Sequence, residues 1–408
     1  MRVLLLTHRL PYPLNRGDRI RAHHLIRSIS RSASLDLVSL VHDHAEEQTA
    51  IELREITSSV ATAMVPRAQN LVRAAFALPG PAPLTHVLLH SPAIFPLLAK
   101  ALRVRRPDVV LAYGSGMARY ACQQPLSAVP FVLDMVDVDS VKWEMLGRTA
   151  AWPMSAVYRR EAVRLRQFEV EATNKAFATT VVNDREYAAL RAINPRARTE
   201  IVAAGVDLSM FQPTEKPMPS SNVVFAGVFN YEPNELGAVW LATEVWPLVR
   251  QRHADATLTL VGMNPTRRVR ELAKDASVVV TGAVPDVRPY LWVAAVAAAP
   301  LTIARGVQNK VLESIAAGLP CVVTPQVLEG IPGVVRLACV SAVTAEEFAG
   351  AILDVLHAAP AERRGRANLA RLDDLSWDAQ LGPMTDLLEA AARCASPQAQ
   401  TRTASSRV

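Results

Sequence analysis

The sequence of 408 residues shows one pattern twice, in which short β-branched runs alternate with longer amphipathic stretches. In the first half the pattern predicts helices at 19–30 and 157–174 and strands at 3–7, 35–41, 61–65, 108–112, 130–133, 178–182 and 199–202. Strands that alternate with helices form a parallel sheet that is covered on both faces. We therefore expect a Rossmann-like domain.

The pattern restarts after residues 207–222, a Pro- and Ser-rich stretch typical of a linker, with strands predicted at 223–226, 257–261, 277–280, 296–299 and 321–324. The fold class is α/β, with two Rossmann-like, doubly wound parallel-sheet domains facing an interdomain cleft in which ligands bind. The predicted domains are 1–206 and 207–375, followed by a helix at 376–393 that crosses back to the first domain and a disordered tail at 394–408.

Composition narrows the class of protein. Half of the residues are apolar, which favours packed domains, and the longest uncharged apolar run, 291–301, is too short to cross a bilayer. The N-terminal residues lack the apolar core of a secretory signal, and the four cysteines are scattered without metal-ligand spacing. These features predict a cytoplasmic location. For residues 69–103 we favour a helix pair packed on the first domain over an element that dips into a membrane.

The net charge of +6 is concentrated in the first half, where residues 1–200 hold 26 Lys and Arg against 18 Asp and Glu. Two explanations remain open, an arginine-rich solvated surface and a surface for anionic partners. The chain shows no nucleic-acid-binding motif, so a membrane surface with anionic lipids is the better candidate partner.

Residues 304–323, ARGVQNKVLESIAAGLPCVV, place charged side chains at the start of a helix that is predicted to begin near Val307. Gly306 permits a tight turn, and the unpaired N–H groups of the first helical turn favour phosphate, to which Arg305 and Lys310 add charge. Glu313 lies on the same helix face as Lys310 and can accept hydrogen bonds from sugar hydroxyls. Together they indicate a nucleotide-sugar site, although an ordinary surface Lys–Glu pair is the alternative.

Two motifs of the first half are also candidates. PLNRGDRIR places Gly17 at a helix start, either as part of a ligand loop or as an ordinary N-terminus with Asp18 in its first turn. There is no G-x-G-x-x-G, so we expect no dinucleotide cofactor. Asp137 and Asp139 imitate a metal-binding D-x-D, but two acids alone are weak evidence, and no metal is predicted. Most histidines are expected to be solvated, with the exception of His8, which ends the first strand.

Several motifs carry a family resemblance. KVLESIAAGLPCVV, AAGVDLSMFQP, VFAGVFNYEPN and LSWDAQLGPMTDLLEAA resemble motifs of the retaining family-4, group 1 glycosyltransferases of GT-B fold. PYPLNRGDRIR, VDVDSVKWE, FNYEPN and ARGVQNKVLE are closest to the sugar transferases associated with exosortase (PEP-CTERM) exopolysaccharide systems. The resemblance spans nearly the whole chain.

The resemblance implies residue roles. Residues predicted to bind the donor are Gly17, Gly227, Val284, Arg305, Gly306, Asn309, Lys310 and Glu313. Residues predicted on the acceptor side are His8, Arg16 and Asp137, and Asp137 and Arg305 are predicted to be catalytic. The chain departs from the family in having Arg305 in place of the first glutamate of a Glu pair, and Val136 in place of a histidine. Arg305 and Lys310 are expected to replace the Arg and Lys that the family carries after its restart glycine.

The predicted protein is a hexosyltransferase-type enzyme. It moves a sugar from a nucleotide-sugar, UDP-linked, to a lipid-linked or polysaccharide acceptor in exopolysaccharide biosynthesis, with retention of configuration. It needs no cofactor or metal and binds no nucleic acid, and it is expected to be peripheral on the cytoplasmic face of the inner membrane. The alternatives are a nucleotide-sugar epimerase of GT-B fold and a non-catalytic GT-B scaffold subunit.

Overall fold

The computed structural model describes residues 1–14, 16–216, 219–304 and 308–395. The chain divides into two units. The first consists of Met1–Ala203 together with the chain from Leu381 onward, and the second consists of Ala204–Gln380.

The first unit is built on a parallel sheet. Among its described residues the sheet has seven strands in the order β3-β2-β1-β4-β5-β6-β7. The strands are β1 Arg2–Thr7, β2 Ser34–Val41, β3 Ser59–Met64, β4 Val109–Tyr113, β5 Phe131–Val136, β6 Ala178–Val181 and β7 Thr199–Ile201. The central strands β1 and β4 are aligned from Val3 opposite Val109 to Thr7 opposite Tyr113, and their apolar side chains form the core.

Helices connect these strands. They are α1 Gly17–Ser30, α2 His44–Gln48, α3 Arg67–Ala77, α4 Leu84–Leu88, α5 Ile94–Val104, α6 Ser115–Ala121, α7 Asp139–Thr149, α8 Met154–Lys175 and α9 Asp184–Ile193, with a 3-10 turn at Thr49–Leu53. The helix pair expected at 69–103 is present as α3 and α5, with the short α4 between them. Ile94 and Leu98 anchor α5 in the core.

The second unit repeats the architecture. Its described residues form a six-stranded parallel sheet in the order β10-β9-β8-β11-β12-β13. The strands are β8 Asn222–Ala226, β9 Thr257–Val261, β10 Val278–Gly282, β11 Val296–Ala299, β12 Cys321–Val323 and β13 Cys339–Ser341. The prediction of two Rossmann-like, doubly wound sheets is therefore confirmed.

The helices of the second unit follow its strands. They are α10 Glu232–Trp240, α11 Trp246–Arg252, α12 Arg267–Glu271, α13 Arg288–Trp292, α14 Asn309–Ala316, α15 Pro325–Gly330, α16 Gly333–Arg336, α17 Ala345–His357 and α18 Pro360–Ala367. Further 3-10 turns lie at Leu272–Lys274 and Asp373–Leu375. A π-helical turn, Leu241–Val245, joins α10 to α11. Pro247 explains it, because proline has no N–H for the regular helical bond.

The last described helix, α19 Trp377–Ala395, begins in the second unit and continues into the first. Its start lies against the chain that leaves the first sheet, where the Val206 amide donates to the Leu375 carbonyl at 2.8 Å. Only glycine fits at position 205, since a Cβ there would lie 2.5 Å from the Cα of Trp377. None of the helices in the described part of the chain has the length and apolar character needed to cross a bilayer.

Candidate functional site

The second sheet reverses its strand order between β8 and β11, which are neighbours although they are far apart in the chain. β8 leads into α10 and β11 leads toward α14, so the first turns of both helices lie at the carboxyl ends of adjacent strands. In open α/β sheets such a reversal opens the crevice in which ligands bind. The candidate donor site is therefore at this edge.

Glycines directly follow β8 and its neighbour β9 and let their backbones approach closely. The Gly227 amide donates to the Val261 carbonyl at 3.0 Å, and the Phe229 amide donates to the Met263 carbonyl at 2.9 Å. Gly262 has a φ of +151°, and a Cβ there would lie 1.7 Å from the Gly227 oxygen. This close approach requires glycine at 262 and keeps side chains away from the end of the strand.

Lys310 and Asn234 join the two helix starts. Lys310 lies in the first turn of α14, and its Nζ donates to Asn234 Oδ1, in the first turn of α10, at 2.6 Å. Asn234 Nδ2 in turn donates to the Val228 carbonyl at 3.0 Å, which ties the amide to the loop after Gly227. The Lys310 Nζ also lies 4.9 Å from the centre of the Phe225 ring, a cation–π distance. Asn234 thus fixes the position of the cation.

Desolvation sets the charge of Lys310 and Glu313. Both side chains are half-buried, yet the protein around their charged ends lowers the pKa of Lys310 to about 7, an effect that Glu313 only partly offsets. Burial likewise raises the pKa of Glu313 to about 7 against the opposing influence of Lys310. An arriving diphosphate would favour protonation of both groups, because negative charge stabilises a cation and disfavours a second anion.

The other predicted donor residues of this unit lie around the same edge of the sheet. Asn309 is the first residue of α14, and half-buried Val284 follows β10 and packs on the core. Within the described residues nothing hydrogen-bonds the Glu313 carboxylate, which leaves it able to accept from a ligand hydroxyl. Arg305 and Gly306, and Val307, where the helix was expected to begin, lie outside the described residues.

The first sheet has its own reversal, between β1 and β4, and His8 lies there, directly after β1. Its ring is parallel to that of Tyr113, the last residue of β4, with the ring centres 6.2 Å apart. The His8 Nε2 is 3.6 Å from Asp18 Oδ2, and the Tyr113 hydroxyl donates to the Asp18 carbonyl at 2.9 Å. Gly114 follows with a φ of +86°.

Asp18 is held ionised beside His8. Burial opposes its ionisation, but the contact with His8 and the charge of Arg16 outweigh it and keep the pKa of Asp18 well below its ordinary value. Arg16 Nε donates to Asp18 Oδ1 at 3.3 Å, and exposed Gly17 begins α1. The structure thus brings His8, Arg16 and Gly17 together and adds Asp18 and Tyr113.

A buried carboxylate holds the loop that carries these groups. Glu46 accepts from the amides of Leu10 (3.2 Å) and His42 (2.8 Å) and from Arg19 Nη2 (2.9 Å). These bonds fix both ends of the turn between β1 and α1. The sequence gives little indication that Glu46 is a buried acceptor, because the polar segment around it is typical of an exposed helix.

Three aspartates lie in the last part of β5 and directly after it, and they have different roles. Asp134 is fully buried and paired with Arg21 through two bonds of 3.0 and 3.2 Å. Asp139 accepts from the Ser115 hydroxyl at 2.5 Å and so ties α7 to α6. Asp137 lies half-buried between them, after Val136, which has a positive φ of 65°. Among the described residues no group of three or more His, Cys, Asp or Glu is placed to hold a metal ion.

These arrangements agree with a family comparison. Residues 220–358 match the family model described as glycosyl transferases group 1. The matched segment lies within the second unit. The match covers β8 to α17, which includes Gly227, Asn234, Lys310 and Glu313, and the predicted transferase class is confirmed. No curated protein of similar sequence matches the chain.

Solved structures with the same fold cover almost the whole chain. Sucrose-phosphate synthase from Thermosynechococcus elongatus matches with a TM-score of 0.70 at 17% identity, covering 95% of this chain and 98% of that one. Anabaena HepE in complex with UDP matches with a TM-score of 0.64 at 13% identity, over 95% and 100%. A trehalose-phosphate synthase from Burkholderia vietnamiensis gives 0.62 at 13% identity, over 96% and 100%. The predicted GT-B fold is confirmed.

Proposed function

We propose that this glycosyltransferase moves a sugar from a UDP-linked donor to a lipid-linked or polysaccharide acceptor in exopolysaccharide biosynthesis, with retention of configuration. The observation that carries the proposal is the Lys310–Asn234 contact, because it places a cation at the strand reversal of a group 1 glycosyltransferase domain. The sequence motifs that resemble exosortase-associated family-4 transferases support the acceptor class.

The choice of nucleotide is supported by proteins of similar fold. The Anabaena HepE structures are described as complexes with UDP and with UDP-glucose, and they match this chain over 94–95% of its length. From these complexes we propose UDP as the nucleotide of the donor, without assigning the donor sugar. Gly227 and Val284 are the proposed contacts of the nucleotide.

The donor diphosphate is proposed to bind at the start of α14. Backbone N–H groups of the first helical turn are available there, and Lys310 becomes fully protonated as phosphate approaches. When the bond to the sugar breaks, negative charge grows on the diphosphate, and a fixed cation stabilises that charge more than it stabilises the ground state. Glu313 accepts hydrogen bonds from the sugar. Arg305 is proposed to add a second cation, and this role stays a sequence-based prediction.

The acceptor is proposed to bind at the β1–β4 edge of the first sheet, beside His8, Arg16 and Asp137. In a retaining reaction on the face of the leaving group, the departing phosphate can itself take the proton of the acceptor hydroxyl, so a strong protein base is not needed. Lys310 and the helix start supply positive charge, and we propose that the reaction requires no metal. Transfer rates should therefore be unchanged by EDTA.

The test is a panel of nucleotide-sugars scored by thermal shift, followed by assays with and without a membrane extract as acceptor source. Ligands that bind the native state raise the midpoint by mass action. UDP-sugars should raise it, and UDP release should depend on the extract. Epimerised nucleotide-sugar formed without extract would favour the epimerase instead. Turnover equal to that of a Lys310→Ala/Glu313→Ala double variant would favour the scaffold.

A further inference from the structure

Helix α3 turns its large apolar side chains outward. Leu71, Val72 and Phe76 are 67%, 58% and 81% exposed. The buried positions of this helix are Asn70 and Ala74, a polar residue and a small one. An ordinary surface helix has the reverse arrangement, with apolar residues inward and polar residues outward. The apolar face of α3 therefore has no partner among the described residues of the chain.

A buried amide fixes this orientation. Asn70 is fully buried, and its Nδ2 donates to the carbonyls of Leu88 (3.0 Å) and His90 (2.7 Å). Arg73 donates back to Asn70 Oδ1 at 3.2 Å. Rotation of α3 to bury Phe76 would break these bonds and leave buried polar groups unpaired, which is costly.

Helix α8 holds the C-terminal end of α3 and the loop that follows it. The Arg160 guanidinium donates to four backbone carbonyls, those of Ala77, Leu78, Gly80 and Ala82. The adjacent Glu161 accepts from the amides of Leu84 (2.7 Å) and Thr85 (2.9 Å). These six bonds anchor the segment, so its apolar face forms a fixed surface.

The chain segment that contains α3 carries charge of one sign. From residue 56 to residue 107 the sequence contains six Lys and Arg and no Asp or Glu. Arg67 and Arg73 lie exposed on α3 itself. Glu161 of α8 contacts this segment, but its carboxylate is 1% exposed and accepts hydrogen bonds from backbone amides. Residues 56–107 therefore offer no carboxylate that would repel an anionic surface.

We propose that the outward face of α3, formed by Leu71, Val72 and Phe76 and flanked by Arg67, binds the surface of an anionic lipid bilayer. The three apolar side chains enter the boundary between headgroups and acyl chains, and the arginine contacts lipid phosphates. Such helices bind through apolar burial combined with attraction to anionic lipids. The proposal rests on the proposed function only for its purpose, which is to bring the enzyme to a membrane-held acceptor.

The experiment is flotation of the full-length protein with vesicles of phosphatidylcholine, either pure or with 30% phosphatidylglycerol. The wild-type protein should bind the anionic vesicles and bind the neutral ones several-fold more weakly. Leu71→Ser/Val72→Ser/Phe76→Ser should lose about tenfold or more in partition coefficient, because burial of apolar area drives insertion. Arg67→Glu should remove most of the preference for anionic vesicles.

The matched control is Leu337→Ser/Val343→Ser, which changes two apolar residues of the second unit that are each 68% exposed. It should bind vesicles as the wild type does. UDP-induced thermal shifts of all variants should remain, which shows that they fold and separates this proposal from the proposed donor binding. Failure of the wild type to bind either vesicle, or unchanged binding by the triple variant, would overturn the proposal. So would a dimer that the triple variant dissociates, because the face would then be a self-interface.

Discussion

Lys310 Nζ and Asn234 Oδ1 are 2.6 Å apart, although 76 residues separate them in the chain. The contact joins the first turns of the helices that follow β8 and β11, the two strands at which the second sheet reverses its order. It positions a cation where a nucleotide-sugar diphosphate is proposed to bind. Asn234 is expected to act on the donor through Lys310, as a positioning residue.

Replacement of Asn234 by Ala should weaken UDP binding about threefold to tenfold. The variant loses a hydrogen bond to a charged group and lets Lys310 adopt other rotamers. Calorimetric titration with UDP measures the effect. Asn230→Ala is the control, since Asn230 is an exposed residue of the loop that leads from β8 to α10. Equal losses in both variants would mean that the loop, and not the contact with Lys310, is responsible.

The affinity for UDP should fall as the pH rises from 7 to 9. Lys310 has a pKa of about 7 in the free protein and loses its charge above it, and Glu313, also near 7, gains a negative charge over the same range. Both changes oppose binding of a diphosphate, at up to about tenfold per pH unit for each proton taken up. Titrations at pH 7, 8 and 9 test this dependence. A Lys310→Met variant that keeps the full slope would contradict the assignment.

The same two groups should place a minimum in stability near pH 7. The folded pKa of Glu313 is raised from 4.5, so the folded state holds more protons between pH 4.5 and 7, and stability falls with rising pH there. The folded pKa of Lys310 is lowered from 10.5, so the unfolded state holds more protons above pH 7, and stability rises. Scanning calorimetry at pH 5, 7 and 9 measures this dependence. Glu313→Gln should reduce the change in stability between pH 5 and 7 and leave the rise between pH 7 and 9.

Replacement of Asp134 by Ala should destabilise the first unit by about 3–5 kcal/mol. Arg21 would remain buried without its partner, and a lone buried charge is costly. Urea unfolding followed in the first unit measures the loss. Asp108→Ala is the control, because exposed Asp108 lies directly before β4 and the one hydrogen bond of its carboxylate among the described residues is accepted from the Arg2 amide. A loss below about 1 kcal/mol for Asp134→Ala would show that the pair contributes little.

The strands of both sheets were predictable because their buried apolar runs are short and bounded by turns. Strands β9 and β11 have the predicted bounds, and β13 was missed because its residues, Cys339–Ser341, are few and partly exposed. Helix α18 was missed because its sequence, rich in Arg, has too few apolar residues to show the helical spacing. Pro360 in its first turn is nevertheless a helix start signal. Local pattern therefore predicts long elements better than short edge elements.

The candidate site was predictable only in part. Lys310 and Glu313 share a helix face by spacing alone, but the contact with Asn234 depends on the arrangement of β8 beside β11, which no local pattern reveals. The same holds for Arg21 and Asp134, which are 113 residues apart. Likewise, the apolar run at Leu71–Phe76 suggests a buried helix until the position of Asn70 shows which face is inward.

Calorimetric titration of UDP into the wild-type protein and into the Lys310→Met variant tests the central claim most directly. The account predicts one UDP bound per wild-type chain at pH 7 and an affinity about 10- to 100-fold lower for the variant, which retains the fold but lacks the cation. An equal dissociation constant for the two proteins, or no binding by the wild type, would contradict the claim that this edge of the sheet binds the donor diphosphate.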